Sequence, residues 1–106
     1  MRKYGKTHVW IEDGKLGLTA RAADEMQGIV YLEVNPGEYA EGDAFGAVES
    51  SKAVVDLVAP CSMRVTGANP VAVADPSVVD SDPEGVWIAM VEDVDESLLL
   101  DENPAD

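Results

Sequence analysis

The sequence predicts a mainly β fold, a compact barrel or sandwich with one or two short helices. The chain has 106 residues, which is a typical length for one domain. Six to eight short runs rich in β-branched and aromatic residues alternate with turn signals, a spacing typical of all-β domains. Hydrophobic residues make up 46 % of the chain and aromatic residues only 6 %, so aliphatic side chains must fill most of the core. No linker divides the chain, and we therefore expect one domain over residues 1–106.

Turn and cap residues separate the predicted elements. Asp13-Gly14 is a strong signal for a two-residue hairpin turn. Thr19 suits a helix N-cap and Gly28 suits the first position after a helix C-terminus, which predicts one helix of about two turns over residues 20–26. The segments expected as strands are 7–12, 15–18, 29–34, 44–50, 53–58, 61–66 and 86–91.

The remaining segments give weaker or more local signals. Residues 29–34 show little polar alternation, so this strand is expected to be buried on both faces. Residues 35–38 are expected as a turn and residues 75–85 as a polar loop punctuated by proline. Residues 71–74 suit either a helix or a strand. At the C-terminus we expect a helix over 95–100 and a frayed acidic end at about 101–106.

One predicted hairpin carries the functional hypothesis. Its arms are residues 44–50 and 53–58, and Ser51 and Lys52 lie near its tip. Two-residue primed turns favour Asn-Gly or Gly-X, and this sequence is neither. A wider or unprimed turn is therefore expected.

The charge balance excludes one class of partner. Lys and Arg number 7 and Asp and Glu number 21, which gives a formal net charge of −14. Every Lys and Arg lies at or before Arg64. A field of this sign repels phosphate backbones, so no nucleic-acid partner is expected. The same field favours docking to basic surfaces on partner proteins.

The usual catalytic and metal-binding residue sets are nearly absent from the sequence. It contains one His and one Cys, with no metal-ligand spacing and no glycine-rich phosphate loop. We therefore predict no catalytic residue and no metal ligand, although the residues alone leave a Cys61–His8 dyad open at this point. A single cysteine cannot form an internal disulfide, and no apolar run approaches the roughly 20 residues of a membrane span. A cytoplasmic protein without a membrane partner is expected.

A short motif around the lysine resembles the Glu-Ser-x-Lys-Ala signature of the glycine cleavage system H protein family. Residues 28–33, 45–50 and 56–60 resemble the strands that flank this signature in the family, and the whole resemblance covers about residues 6–91. It implies a barrel-sandwich hybrid of the lipoyl/biotinyl type, with lipoate attached through an amide bond. Biotin carriers place Met on both sides of the lysine, and the small residues here indicate lipoate instead. The motif residues are Glu49, Ser50, Ser51, Lys52 and Ala53.

The resemblance also implies what the protein does and with whom. The lipoyl-lysine arm at Lys52 would shuttle an aminomethyl group and electrons among a glycine decarboxylase, an aminomethyltransferase and a dihydrolipoamide dehydrogenase. A lipoate ligase or lipoyl transferase would attach the cofactor, and the protein itself would be a non-catalytic carrier and not an enzyme. Thr7 and Asp56 match family positions that line a cleft for the loaded arm. Val9 stands where the family has a glutamate, so one carboxylate of that cleft is missing here.

Two alternatives remain open at this point. Val9 and the short C-terminal end favour a shortened H-like lipoyl protein with a different cargo. Proteins of that kind are associated with lipoate relay, with sirtuin- and macrodomain-linked ADP-ribosylation under oxidative stress, and with sulfur oxidation. The third possibility is an acidic interaction domain in which Lys52 stays unmodified.

Overall fold

Two antiparallel sheets share one hydrophobic core in the computed structural model, which describes residues 2–103. The mainly β prediction is confirmed. One sheet has six strands in the order β1-β2-β3-β9-β8-β5, and the other has three in the order β4-β6-β7. The strands are β1 (Lys3–Gly5), β2 (Val9–Glu12), β3 (Lys15–Leu18), β4 (Ile29–Val34), β5 (Gly37–Tyr39), β6 (Ala44–Ser50), β7 (Val54–Val58), β8 (Met63–Ala68) and β9 (Trp87–Glu92). The helices are α1 (Ala20–Met26), α2 (Pro70–Ala74), α3 (Ser77–Ser81) and a 3-10 turn at Glu96–Leu98.

The core lies between the sheets and is mostly aliphatic. Phe45 and Val48 of the three-stranded sheet and Leu16 and Ile88 of the six-stranded sheet are fully buried. At about 25 cal/mol per Å² of apolar surface removed from water, this burial is the main favourable contribution to folding. The aliphatic core expected from the composition is therefore present.

The β2–β3 hairpin and helix α1 form where the sequence predicts them. Asp13 and Gly14 have φ angles of 52° and 77°, the left-handed pair that a primed turn requires. The Oγ1 of Thr19 accepts a hydrogen bond from the Ala22 amide at 3.3 Å and so caps α1. Gly28 follows the helix with a φ of 74°, a conformation that costs glycine little.

Burial of β4 on both faces was expected, and that prediction is wrong. Val30 and Tyr31 are 62 % and 51 % exposed, whereas Ile29 and Leu32 are buried. The strand lies at one end of the three-stranded sheet, which packs only one face against the core. An antiparallel sheet tolerates such a solvated face, and apolar residues on it leave no alternation for sequence reasoning to detect.

Two segments expected without regular structure contain it. The predicted loop over 75–85 holds helix α3, because Val79 is buried in the core and Asp75 accepts a hydrogen bond from the Ser77 amide at 3.3 Å. The predicted turn over 35–38 gives way to β5, which pairs with β8 at Gly37 and Val65. In both places tertiary contacts outweigh the local preference of Pro and Gly.

Several element boundaries also differ from expectation. Residues 70–74 form helix α2, with Asn69 as its cap, so the open choice at 71–74 resolves as helix. Strand β8 begins at Met63 and continues through Gly67, past the predicted end at 66, with an irregularity in its pairing to β9. The helix expected over 95–100 is reduced to the 3-10 turn, for which Asp95 caps the Ser97 amide at 3.1 Å.

The two ends of the described chain lie together. Leu100 exchanges two backbone hydrogen bonds with Tyr4, at 2.7 and 2.8 Å, and Asp101 forms an ion pair with Lys3. Fraying over 101–106 stays a prediction, and residues 104–106 lie outside the described residues. Within residues 2–103, no helix has the length and apolar character needed to cross a membrane.

Candidate functional site

Lys52 lies at the tip of the β6–β7 hairpin, as the sequence predicts. The strands pair up to Glu49 and Val54, and the chain turns over the four residues from Ser50 to Ala53. None of these four residues has a positive φ, so the turn is not a primed one, in agreement with the expected wider or unprimed turn.

The side chain of Ser50 closes this turn. Its Oγ accepts hydrogen bonds from the amides of Lys52 and Ala53, at 3.2 and 3.3 Å. The Ser50 amide donates to the Ala53 carbonyl oxygen at 2.9 Å. The Ser50 hydroxyl therefore stabilises this turn, whereas the β2–β3 turn is stabilised by its primed backbone conformation. Ser50 of the motif thus has a structural role.

The amine of Lys52 is accessible. The residue is exposed, and its Nζ donates one long hydrogen bond, at 3.5 Å, to the side-chain oxygen of Gln27. Among residues 2–103, no carboxylate forms an ion pair with it. An amine in this setting can attack an activated acyl group that a modifying enzyme holds.

The corner between α1 and β4 supports the tip from below. The Oγ of Ser51 lies 3.5 Å from the Gln27 carbonyl oxygen, at the long limit of hydrogen bonding. A Cβ atom at Gly28 would lie only 3.2 Å from that Oγ. Sequence reasoning missed Gln27, because nothing local in the chain indicates that residues 27 and 52 meet.

The motif residues beside the lysine leave the tip open. Ser51 and Ala53 are small and exposed. Glu49 is exposed on the outer face of the sheet, in one cross-strand row with Tyr31 and Val54. An acid between two exposed apolar side chains thus lies directly before the lysine-bearing turn.

A cleft of about 460 Å³ lies between α1 and β7. Its walls are largely apolar and include Leu18, Met26 and Val55. Thr7 and Asp56, the two residues expected to line a cleft, both line this one. Thr7 also donates a hydrogen bond to the Val58 carbonyl oxygen at 3.0 Å, which ties β7 to the segment before β2.

Two further polar residues line the cleft, and sequence reasoning did not place them there. His8 has a φ of 63°, and its Nδ1 is buried without a hydrogen-bond partner among the described residues. Glu25 reaches the cleft from α1. The single histidine belongs to no recognised motif, and Glu25 is one of 21 Asp and Glu residues, so neither gave a sequence signal. The fold brings them to one cleft from two places in the chain, the segment before β2 and helix α1.

The cleft is within reach of an arm attached to Lys52. Asp56 lies four residues after Lys52 in the chain, a span of at most roughly 13 Å at the usual strand rise. A lysine stem with an eight-carbon acyl chain extends on the order of 10–15 Å. The apolar walls suit the methylene chain and the dithiolane ring of a lipoyl group. The residues present therefore fit lipoate.

The single thiol of the protein lies away from this site. Cys61 is fully buried, and this burial is the main reason that its pKa is raised. A buried neutral thiol is a poor nucleophile, so Cys61 does not compete in thiol–disulfide exchange.

Comparisons with known proteins agree with this geometry. Residues 2–103 match the protein family described as Glycine cleavage H-protein. The glycine cleavage system H protein of Koribacter versatilis is 40 % identical over 102 residues, which cover 93 % of this chain and 81 % of the relative. That of Thermotoga maritima is 34 % identical over 108 residues, covering 95 % and 87 %.

A solved structure shows the same fold. The crystal structure of a glycine cleavage system H protein from Mycobacterium marinum aligns with a TM-score of 0.75 and 30 % identity, over 93 % of this chain and 88 % of that one. The expected barrel-sandwich hybrid is confirmed by this match. The chain belongs to the glycine cleavage H-protein family.

Proposed function

We propose that this protein is the lipoyl carrier of a glycine cleavage system and that lipoate is attached through an amide bond to Lys52. The observation that carries the proposal is the exposed amine of Lys52 at the tip of a paired hairpin, with no acidic partner among the described residues. Family membership supports the same function. The motif residues Glu49, Ser50, Ser51 and Ala53 form the surface that a lipoate ligase or lipoyl transferase would recognise.

The chain's own residues position and shelter the arm. When attached, lipoate supplies a dithiolane that exchanges electrons and carries an aminomethyl group. Lys52 anchors this group, and strands β6 and β7 hold the anchor firmly while the arm moves. The cleft lined by Thr7 and Asp56 receives the loaded end, and the Asp56 carboxylate favours a positive charge there. No residue of the chain needs to act as an acid, base or nucleophile, so the protein is a carrier and not an enzyme.

The proposed partners are the enzymes that load, unload and reoxidise the arm. These are a glycine decarboxylase, an aminomethyltransferase and a dihydrolipoamide dehydrogenase. The formal charge of −14 favours docking to basic surfaces around their active-site entrances. We also infer a cytoplasmic location, which suits a protein whose single cysteine is a buried free thiol.

Val9 gives specific support to the alternative of a different cargo. It lines the cleft at the position where the family has a glutamate, so one carboxylate is absent. A cleft with less negative charge would hold a cationic cargo less firmly. The alternative keeps the lipoyl arm at Lys52 and changes only what the arm carries.

A loading experiment tests the proposed function. The lipoylated protein is incubated with glycine and a glycine decarboxylase, and the mass of the intact chain is measured. We expect the lipoylated protein to gain an aminomethyl group and the Lys52→Arg variant, which cannot form the amide, to gain nothing. A lipoylated protein that never gains this mass would exclude the aminomethyl cargo and leave the alternative cargo standing. Absence of lipoylation would exclude both and favour an unmodified acidic interaction domain.

A further inference from the structure

Helix α1 brings a second carboxylate to the cleft, opposite the one on β7. Glu25 lies in the last turn of α1, next to Met26, and both residues line the cleft. Asp56 lines it from β7, and no hydrogen bond or ion pair holds its carboxylate among the described residues. The two acids come from different elements, and the fold places both of them in the lining of one cleft.

We propose that Glu25 is a specificity-determining residue of this cleft and that, together with Asp56, it selects an arm whose end is cationic. The identity of the arm rests on the proposed function. The proposal extends that function, because it assigns to α1 the negative charge that Val9 cannot provide. The ligand class is an alkyl chain with a terminal ammonium group.

The chemistry of the cleft supports this ligand class. Leu18, Met26 and Val55 give it apolar walls that exclude water from the alkyl part of a ligand. A carboxylate at the edge of the cleft adds a Coulombic attraction for a cation. A neutral alkyl chain gains only the first of these two contributions.

Glu25 has one partner already, and that partner leaves room for a ligand. The Nε of Arg21 lies 3.3 Å from Glu25 Oε1, and both side chains are more than half exposed, at 54 % and 61 %. Such an exposed pair one helical turn apart is weak and screened by salt. A carboxylate has about four acceptor positions on two oxygens, so it accepts a ligand ammonium without losing the arginine.

The matched control lies beside Glu25 in the same helix. Asp24 is exposed and lines a different surface depression, together with Gln27 and Asp80. Asp24→Asn and Glu25→Gln remove the same net charge from adjacent positions. A difference between these variants therefore reports the position of the carboxylate and not the total charge of an acidic protein.

The test uses the unmodified 106-residue chain and two small probes, n-hexylammonium and n-hexanol. Binding is followed by amide chemical shifts in two-dimensional NMR, which also show whether the probe contacts Leu18 and Val55. We expect the ammonium to bind the cleft more tightly than the alcohol, and Glu25→Gln to weaken ammonium binding roughly three- to fivefold. We expect Asp24→Asn to leave it unchanged and neither substitution to affect the alcohol. Equal ammonium binding by Glu25→Gln and the unsubstituted protein would overturn the proposal.

This result is independent of whether the protein is lipoylated. If Lys52 proves to be unmodified while Glu25 still selects the ammonium, the proposed function fails and the cation selectivity of the cleft stands. If the arm loads from glycine but Glu25→Gln binds hexylammonium normally, the proposed function stands and the role of Glu25 fails. In the loaded protein, Glu25→Gln is expected to increase the mobility of the arm by NMR relaxation, and Asp24→Asn is not.

Discussion

The β2–β3 and β6–β7 hairpins reverse the chain by different means. The β2–β3 hairpin turns through Asp13-Gly14, whose positive φ angles match the twist of the strands. The β6–β7 hairpin turns without a positive φ, and Ser50 and the α1–β4 corner support it instead. The first turn depends on its own two residues. The second depends on contacts that leave the Lys52 side chain exposed and accessible to a modifying enzyme.

The largest loss of stability is expected from a substitution in the lysine-bearing hairpin, at Gly46. A Cβ atom there would lie 2.0 Å from the Glu33 carbonyl oxygen of β4, a backbone atom that cannot move aside. Gly46→Ala is therefore expected to destabilise the fold by about 3 kcal/mol or more, at the upper end of overpacking effects. Chemical denaturation measures this.

Gly67→Ala is the matched control, because a Cβ atom at Gly67 in β8 meets nothing within 4 Å. It should change the free energy of unfolding by less than about 1 kcal/mol. Similar destabilisation by the two substitutions would contradict the idea that β4 and β6 lie too close together at Gly46 for any residue with a Cβ atom.

The next largest effect is expected at the turn that depends on its own residues. Gly14 has a φ of 77°, and a Cβ atom there would meet only the Val91 carbonyl oxygen, at an ordinary 3.5 Å. Gly14→Ala should therefore cost about 1–2 kcal/mol, from backbone strain and not from a clash. Thermal unfolding measures the loss, and lipoylation of Lys52 should continue at the normal rate. A large loss of lipoylation in the folded variant would show that the hairpins are coupled.

A smaller effect on stability, with a larger one on modification, is expected at Ser50. Ser50→Ala removes the acceptor for the amides of Lys52 and Ala53, which is worth about 0.5–1.5 kcal/mol for each hydrogen bond formed. Because both amides are exposed to water, the loss should lie at the lower end. The initial rate of lipoylation should fall, because the tip no longer holds one conformation.

Ser51→Ala is the control for this prediction. Within residues 2–103, its hydroxyl makes only the 3.5 Å contact with the Gln27 carbonyl oxygen, so both stability and lipoylation should change little. An unchanged lipoylation rate in Ser50→Ala would mean that the modifying enzyme shapes the turn itself.

The smallest effect concerns the thiol outside both hairpins. Burial raises the pKa of Cys61, so the native protein should react with iodoacetamide far more slowly than the unfolded protein. Cys61→Ala should leave reoxidation of the lipoyl arm unchanged. Rapid native labelling of Cys61, read by mass spectrometry, would contradict its exclusion from the exchange chemistry.

The contrast between the hairpins also explains what could be predicted from the sequence. Asp13-Gly14 and the Thr19 cap act through local backbone preferences, and both were predicted correctly. Residues 75–85 and 35–38 were not, because a buried Val79 and pairing with Val65 outweigh the local preferences there. Local signals do not contain such long-range contacts.

The candidate site divides in the same way. Lys52 and its motif form one continuous stretch, so the resemblance identified them directly. Thr7 and Asp56 could be expected at a cleft only through the resemblance, and both line one. Glu25, His8 and Gln27 were missed, because the fold brings them to the site from elements distant in the chain.

We propose that the chain presents Lys52, and no other lysine, for lipoylation. The most direct measurement is the intact mass of the protein after reaction with lipoate, ATP and a lipoate ligase. Lys15 follows the Asp13-Gly14 turn and is also exposed, so Lys15→Arg is the matched control for Lys52→Arg. We expect a single lipoyl group on the unsubstituted protein and on Lys15→Arg, and none on Lys52→Arg. A lipoyl group on Lys52→Arg, or none on the folded unsubstituted protein, would contradict the proposal.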